Sequence, residues 1–444
     1  MTHYFTINGC HIALDVHSGA VHILDDLVND ILTGDIASLE TRYSKEEIAE
    51  AQAEIDALIA CGQLNSKLPS SSRATEIAFT QNRKPVVKAL CMHIAHDCNL
   101  RCTYCFAGEG DYGAISRTLM SAEVGKKAID FLIANSGNRS NLEVDFFGGE
   151  PTLNFEVVKT IVEYAREQEM DSGKNFRFTL TTNGLLLDDE KINYINSHMD
   201  NVVLSLDGRK EINDKMRKSK NAGASCYDIV LPKFKKLVEA RKHQNYYMRG
   251  TYTGNNLDFC NDVLHMANLG FSQISVEPVI GSATASYSIR NEDVLALCEE
   301  YERLAIEMVN CNYNFNFFHF MLDMTNGPCA AKRITGCGAG TEYLAVTPEG
   351  DLYPCHQFVG DKEFRLGDLD SGISANKWQE QFDKCNVYTK PECDTCWAKY
   401  FCSGGCAANA FHVNGDIMKP DEIGCRLQKK RLECALYLQC FVTS

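Results

Sequence analysis

Residues 96–113 read HDCNLRCTYCFAGEGDYG, which puts Cys98, Cys102 and Cys105 within eight residues and no fourth cysteine beside them. Any fold of this chain must gather three thiols on one loop and leave a coordination position for something else. A structural zinc site takes four ligands, usually as paired CxxC knuckles, and the nearby further donors here are His93 and His96. A 4Fe–4S cubane can instead be held by thiolates on three irons. Its fourth iron then stays open to a substrate or cofactor, which points to catalysis.

A second set of cysteines lies downstream, spaced Cys337-x12-Gly350-x4-Cys355, then Cys393-x2-Cys396-x5-Cys402-x3-Cys406, then Cys425. The chain has 21 cysteines. Its N-terminus, MTHYFTINGCHIALD, lacks the basic-then-apolar order of a secretory signal. A cytoplasmic setting is expected, and there clustered cysteines speak for metal binding or catalysis over a disulfide framework. Cys61, Cys260, Cys298 and Cys311 sit singly in apolar helical patterns and read as small buried hydrophobes. A formal charge of −15 argues against a nucleic-acid binder, which needs clustered Lys and Arg. No run of eighteen apolar residues predicts a membrane span.

Three segments follow one another. In residues 1–70, the strand candidates HYFTI, HIALDV and AVHIL precede helices at 26–33 and 44–64, the second opening on Ser44. This predicts a small winged-helix-like module. Residues 71–85 belong to a polar, proline-bounded linker. From 86 to 320, VKALCMHIA, LEVDFF, FRFTLTT, NVVLSL, YYMRGTYT and FSQISVEPV alternate with helical stretches near 121–135, 155–170, 189–197, 227–243, 256–268 and 291–312. Six βα units predict a parallel sheet with right-handed crossovers, a partial (β/α)6 barrel. Residues 321–444 are loop-rich, poor in long apolar periodicity and in need of staples.

In parallel α/β sheets the chemistry sits at the C-terminal strand ends. The cysteine triplet falls there, as do GGEP (148–151), TTNG (181–184) and LDG (206–208), and four such motifs on consecutive strands predict one pocket.

CNLRCTYC resembles the CxxxCxxC signature of the radical S-adenosylmethionine (SAM) enzymes, including the aromatic residue before the last cysteine. The resemblance spans 86–320 and implies Cys98, Cys102 and Cys105 on a 4Fe–4S cluster whose open iron chelates SAM. Reductive cleavage would give methionine and a 5′-deoxyadenosyl radical. Gly148, Gly149 and Glu150 resemble the strand end that takes the SAM amino group. Thr182, Asn183, Ser205 and Asp207 fall at places associated with ribose and methionine contacts. Arg217 and Arg249 resemble basic positions near the SAM carboxylate, and Tyr104 would bring its backbone near the adenine.

The downstream set resembles, cysteine for cysteine, the SPASM extension of peptide-modifying radical SAM enzymes. That pattern implies Cys393, Cys396, Cys402 and Cys425 on one auxiliary cluster and Cys337, Cys355 and Cys406 on another, three 4Fe–4S clusters in all. Cys329 either completes the second auxiliary cluster or is a free thiol, leaving that site open to a substrate thiolate. The competing reading is a pair of zinc ribbons. Residues 1–70 resemble the RiPP recognition element, which binds leader peptides by strand addition; a dimerisation or packing domain is the alternative.

The whole chain most resembles maturases of SCIFF peptides (six cysteines in forty-five residues). This implies a sactisynthase joining a peptide cysteine to an acceptor carbon, expected at Cα of a threonine. The implied partners are a precursor peptide, its leader on residues 1–70 and its Cys-rich core at the barrel mouth, and an external one-electron reductant. Two alternatives stand beside it: a SPASM enzyme with other chemistry, such as formylglycine formation or carbon–carbon crosslinking, and a non-catalytic metal or redox scaffold that binds peptides.

Overall fold

The computed structural model describes residues 1–34, 39–67, 75–78, 84–113, 117–220, 223–281, 284–311, 314–322, 330–374 and 376–442. At the N-terminus β1 (Thr2–Ile7), β2 (Cys10–Asp15) and β3 (Val21–Leu24) form an antiparallel meander. Asn8 and Gly9 close its first hairpin with φ of 49° and 74°, the left-handed pair a two-residue turn requires. The helix Lys45–Ala60 begins on a capping box in which Ser44 and Glu47 satisfy each other's backbone N–H groups. The meander seats on the C-terminal helix Glu422–Val442. His3 stacks on Trp397 at 3.8 Å and shares a 2.9 Å contact with Glu433, while Leu14 and Val16 bury against Leu436.

The remaining strands, in chain order, are β4 (Ala89–Ala95), β5 (Leu100–Cys102), β6 (Asn141–Gly148), β7 (Asn175–Thr182), β8 (Asn201–Ser205), β9 (Arg217–Ser219), β10 (Tyr246–Tyr252), β11 (Gln273–Pro278), β12 (Asn316–Phe317), β13 (Tyr343–Val346), β14 (Asp351–Tyr353), β15 (Gly367–Asp368) and β16 (Gly372–Ile373). One sheet runs β12-β11-β10-β8-β7-β6-β4-β13-β14-β15-β16, parallel from β12 to β13. The six barrel strands and their helices stand where the alternating sequence pattern puts them. Period-2 burial explains the curvature's two faces: Leu142, Val144 and Phe146 of β6 lie under the outer helices, whereas Glu143, Asp145 and Phe147 alternate with them.

Asp145 lies on the inner face of β6 and carries a penalty for its burial. Burial, and then Glu143, raises its carboxyl to about 7, with Thr179 partly offsetting. A carboxyl raised on folding loses stability as pH climbs from its unfolded value to its folded one. Asp145→Asn is therefore expected to raise the unfolding midpoint more at pH 8 than at pH 5, read by parallel denaturant titrations.

Two features of residues 321–444 depart from the loop-rich expectation. β13 extends the barrel sheet beside β4, and β14 to β16 continue it antiparallel. The helix Glu422–Val442 is 21 residues long and lies along Val294–Asn310, with Lys430 paired to Glu302 at 2.6 Å and Arg431 donating to the Tyr301 hydroxyl at 2.8 Å. It touches both a barrel helix and the N-terminal meander, so its apolar residues occupy more than one face and blur the amphipathic stripe. Of the linker 71–85, residues 75–78 and 84–85 are described, and the Tyr388 hydroxyl donates to Glu76. Among the described residues, no helix is long and apolar enough to cross a membrane.

Candidate active site

The loop after β4 is bolted down before any cofactor is considered. β5 carries Cys102 and pairs with β9, placing Cys102 opposite Arg217. Arg217 donates from Nε to Asp207 at 3.0 Å, and Tyr104 donates its hydroxyl to both Asp207 oxygens at 2.8 and 2.6 Å. Thr251 adds its backbone N–H at 3.0 Å. Asp207 is thus a fully buried hub that ties the cysteine loop, the end of β8 and β10 together.

Cys98, Cys102 and Cys105 all line a cavity of about 250 Å³ at the C-terminal mouth of the barrel. Burial first, then Glu150 and Cys105, pushes the Cys98 thiol up to about 12, and burial raises Cys102. Without a cation these thiols are held neutral; a bound metal centre would convert them to thiolates. Cys98 Sγ accepts from Asn183 Nδ2 at 3.7 Å and from the Leu100 N–H at 3.4 Å, contacts that suit an anionic sulfur. His93 and His96 do not supply a fourth zinc ligand. They bond each other at 3.1 Å, and their rings lie against Tyr112 at 4.6 and 4.7 Å, outside the cavity lining. Three thiols around a shared open space fit a cluster with one free iron.

GGEP owes its glycines to the same loop. A Cβ on Gly148, whose φ is 118°, would lie 2.4 Å from the Ala95 carbonyl oxygen, and one on Gly149 would lie 2.1 Å from that of Asp97. The backbones of β6 and the cysteine loop instead bond directly, Gly149 N–H to Ala95 and Glu150 N–H to Asp97, each at 2.8 Å. Gly149→Ala must push these strand ends apart. Overpacking of this kind costs about 1–3 kcal/mol, so the variant's unfolding free energy is expected to fall by that amount, measured by urea titration.

Glu150 is buried to 1% exposure and accepts from Thr152 N–H and hydroxyl at 3.1 and 2.5 Å, Thr182 hydroxyl at 2.7 Å and Asn183 N–H at 2.7 Å. Burial raises its carboxyl, and those four donors oppose the rise. Of the ten residues singled out in the sequence for cofactor contact, Tyr104, Gly148, Gly149, Glu150, Thr182, Asn183, Ser205, Arg217 and Arg249 line the cavity. Asp207 does not; its carboxylate accepts from Arg217 and Tyr104 behind the wall.

The structure also brings in residues that the sequence reading passed over. Glu277 lines the cavity from the end of β11, the sixth barrel strand, a position the strand-end rule could have flagged. Burial alone would raise its carboxyl, but His319, Arg431 and Arg249 together hold it below the ordinary range. Arg249 Nη2 stands 3.8 Å from it. His356 and Gln357 complete the lining from the C-terminal segment.

Residues 92–260 match the family model of the Radical SAM superfamily. They form a radical SAM domain. The chain is 33% identical over 144 residues, 32% of its length, to an uncharacterized protein of Methanocaldococcus jannaschii, of which this spans only 46%. It is 24% identical over 345 residues to a cysteine-type anaerobic sulfatase-maturating enzyme of Clostridium perfringens, covering 72% of this chain and 89% of that one. Two solved structures share the fold. Native anSMEcpe with bound AdoMet and Cp18Cys peptide superposes with a TM-score of 0.64 at 21% identity, covering 80% of this chain and 98% of that one. SuiB of Streptococcus suis bound to precursor peptide SuiA gives 0.54 at 16% identity, covering 95% and 98%.

Beyond the radical SAM domain, the downstream thiols fall into two electrostatic groups. After burial, the thiols that raise Cys425, to about 12, are Cys402, Cys393 and Cys396. Those that raise Cys355 are Cys406, Cys337 and Cys91. Cys329 lies outside the described residues. Cys385, left unassigned by the spacing, shares a small cavity with Cys337.

Proposed function

We propose that this chain is a radical SAM peptide maturase of the sactisynthase type, most like the SCIFF maturases, linking a cysteine of a ribosomally made precursor to an acceptor carbon. One juxtaposition carries the reading. The cavity lined by Cys98, Cys102 and Cys105 is also walled by His356 and Gln357, which directly follow Cys355. A peptide side chain entering it would, in this reading, lie between the SAM site and the segment that carries Cys355.

In this reading Cys98, Cys102 and Cys105 hold the first 4Fe–4S cluster. Cys393, Cys396, Cys402 and Cys425 hold one auxiliary cluster, and Cys337, Cys355 and Cys406 the other, with Cys329 or a substrate thiol as its remaining ligand. The loaded site supplies one-electron cleavage of SAM to methionine and a 5′-deoxyadenosyl radical, drawing on an external one-electron reductant. The protein's own work is orientation. Glu150 presents buried negative charge to an ammonium group, Arg249 presents an exposed guanidinium to a carboxylate, and Phe147, Val279 and Ile280 keep water from the reacting carbon. Thioether formation would move one hydrogen atom from the acceptor carbon to the 5′-deoxyadenosyl radical, release one proton from the thiol to solvent, and pass one electron from the joined product to a cluster that the downstream cysteines would hold.

Residues 1–70 would take the leader on the outer edge of β3, the end strand of the meander, where Ile23 is 60% exposed. Proline on an edge strand removes a donor needed for strand addition. Ile23→Pro is expected to weaken leader binding at least about tenfold, about 1.4 kcal/mol, by fluorescence anisotropy of a labelled leader. Unchanged affinity would count against the docking role.

The deciding experiment is anaerobic: reconstituted protein, SAM, reductant and a Cys-rich precursor, with tandem mass spectrometry of the peptide. Loss of two hydrogens per link, dependent on a peptide cysteine, supports the thioether reading. The sulfatase-maturating relative favours a second reading, formylglycine formation, which leaves an aldehyde and no crosslink. Deoxyadenosine release with an unaltered peptide would reject this class of substrate.

A further inference from the structure

Between the two downstream thiol groups lies a lysine that neither the spacing nor the comparisons assign. Lys390 is 2% exposed, and its Nζ donates to the Gly404 carbonyl at 2.9 Å. Gly404 belongs to the segment Cys402-Ser-Gly-Gly-Cys406, which joins one thiol group to the other. Lys390 also immediately precedes the short helix Pro391–Asp394 that carries Cys393, and it lines the small cavity shared by Cys337 and Cys385.

No carboxylate among the described residues pairs with it; its hydrogen bond goes to a neutral carbonyl. An ammonium removed from water without a counter-anion is strongly unfavourable. Something in its surroundings must supply negative charge. Sulfurs of both groups surround it: it precedes the helix that carries Cys393, bonds the peptide between Cys402 and Cys406, and lines the cavity of Cys337 and Cys385.

Resting on the auxiliary-cluster reading above, we propose that Lys390 is the shared counter-cation of both auxiliary clusters and raises their reduction potentials. Reducing a thiolate-bound cluster adds one negative charge to a poorly solvated region. A fixed positive charge there stabilises the reduced form, since net local charge and hydrogen bonding set the potentials of such clusters. Gly404 alone does not explain the residue, because any neutral donor of similar length would satisfy its carbonyl.

That difference makes the test. In the full chain carrying Cys98→Ala, Cys102→Ala and Cys105→Ala, only the auxiliary clusters remain, and dithionite titration followed by electron paramagnetic resonance reads their potentials. Lys390→Gln keeps a donor without charge; Lys390→Arg keeps the charge. With Lys390→Gln, the ratio of reduced to oxidised cluster at a fixed potential should fall at least about tenfold, about 59 mV for a one-electron couple. Lys390→Arg should stay within about threefold of its parent. Unmoved potentials in a fully loaded Lys390→Gln protein overturn the proposal, as does an equal shift in Lys390→Arg. If Lys390→Gln takes up no iron, Lys390→Arg decides: loading at the parent potential supports a charge role, and failure to load overturns it. A parent that binds no iron and sulfide beyond its first site removes the cluster reading itself, a failure distinct from clusters that ignore Lys390.

Discussion

Cys98→Ala in the full chain is expected to abolish 5′-deoxyadenosine formation, a loss on the order of a thousandfold or more, equivalent to about 4 kcal/mol of barrier. The variant should keep its fold. Cys98 is only partly buried, and its loop is held by contacts that do not involve its sulfur: the β5–β9 pairing, the Asp207 hub and the Glu150 N–H to Asp97 bond. Iron content should fall by about one cluster's share while the downstream sites stay loaded. A purely structural thiol predicts the opposite pattern, a modest stability loss with activity retained in the folded fraction. Cys61, exposed at the end of the helix Lys45–Ala60, is the control, and its replacement by alanine should change neither quantity. Zinc in place of iron and sulfide in the purified, oxygen-free protein would remove the basis of the expectation.

Much of the site was legible because backbone rules write themselves into the sequence. Six apolar strands each followed by a helix allow few topologies, and the motifs at their C-terminal ends converge by geometry alone. Gly148 and Gly149 could be noticed as a pair, although only the carbonyls of Ala95 and Asp97 show why no side chain fits there. The non-local partners were not legible. β13 has four residues, too few for a period to announce it, and its partner β4 lies some 250 residues earlier. Glu277 resembles an ordinary strand-end carboxylate until His319 and Arg431 are seen around it. The bonding of Asp207 was hidden for the same reason. The tripeptide Leu-Asp-Gly at a strand end suggests a ligand contact, and nothing local reveals that residues 104 and 217 have already claimed the carboxylate.

That buried hub leads to the second large effect. Asp207→Ala leaves the Arg217 guanidinium, 11% exposed at its side chain, without its partner and strips the Tyr104 hydroxyl and the Thr251 N–H of their acceptor. Breaking one side of a buried, hydrogen-bonded ion pair costs about 3–5 kcal/mol, more than the pair's net worth, because the remaining charge stays desolvated. The unfolding free energy from urea titration should fall by that amount. The loss should also reach the cluster, since Arg217 lies opposite Cys102 in the β5–β9 ladder and Tyr104 belongs to the cysteine loop. Iron at the first site is expected to load incompletely even in the protein that remains folded. Asp207→Asn, which keeps an acceptor but not the charge, should fall between the variant and the parent. Pairing Asp207→Asn with Arg217→Met removes the orphaned cation and should recover stability relative to Asp207→Ala, a non-additivity that a double-mutant cycle reads directly. Were Asp207 a cofactor contact as its motif suggested, the alanine variant would keep its urea midpoint and its iron and lose only affinity for SAM.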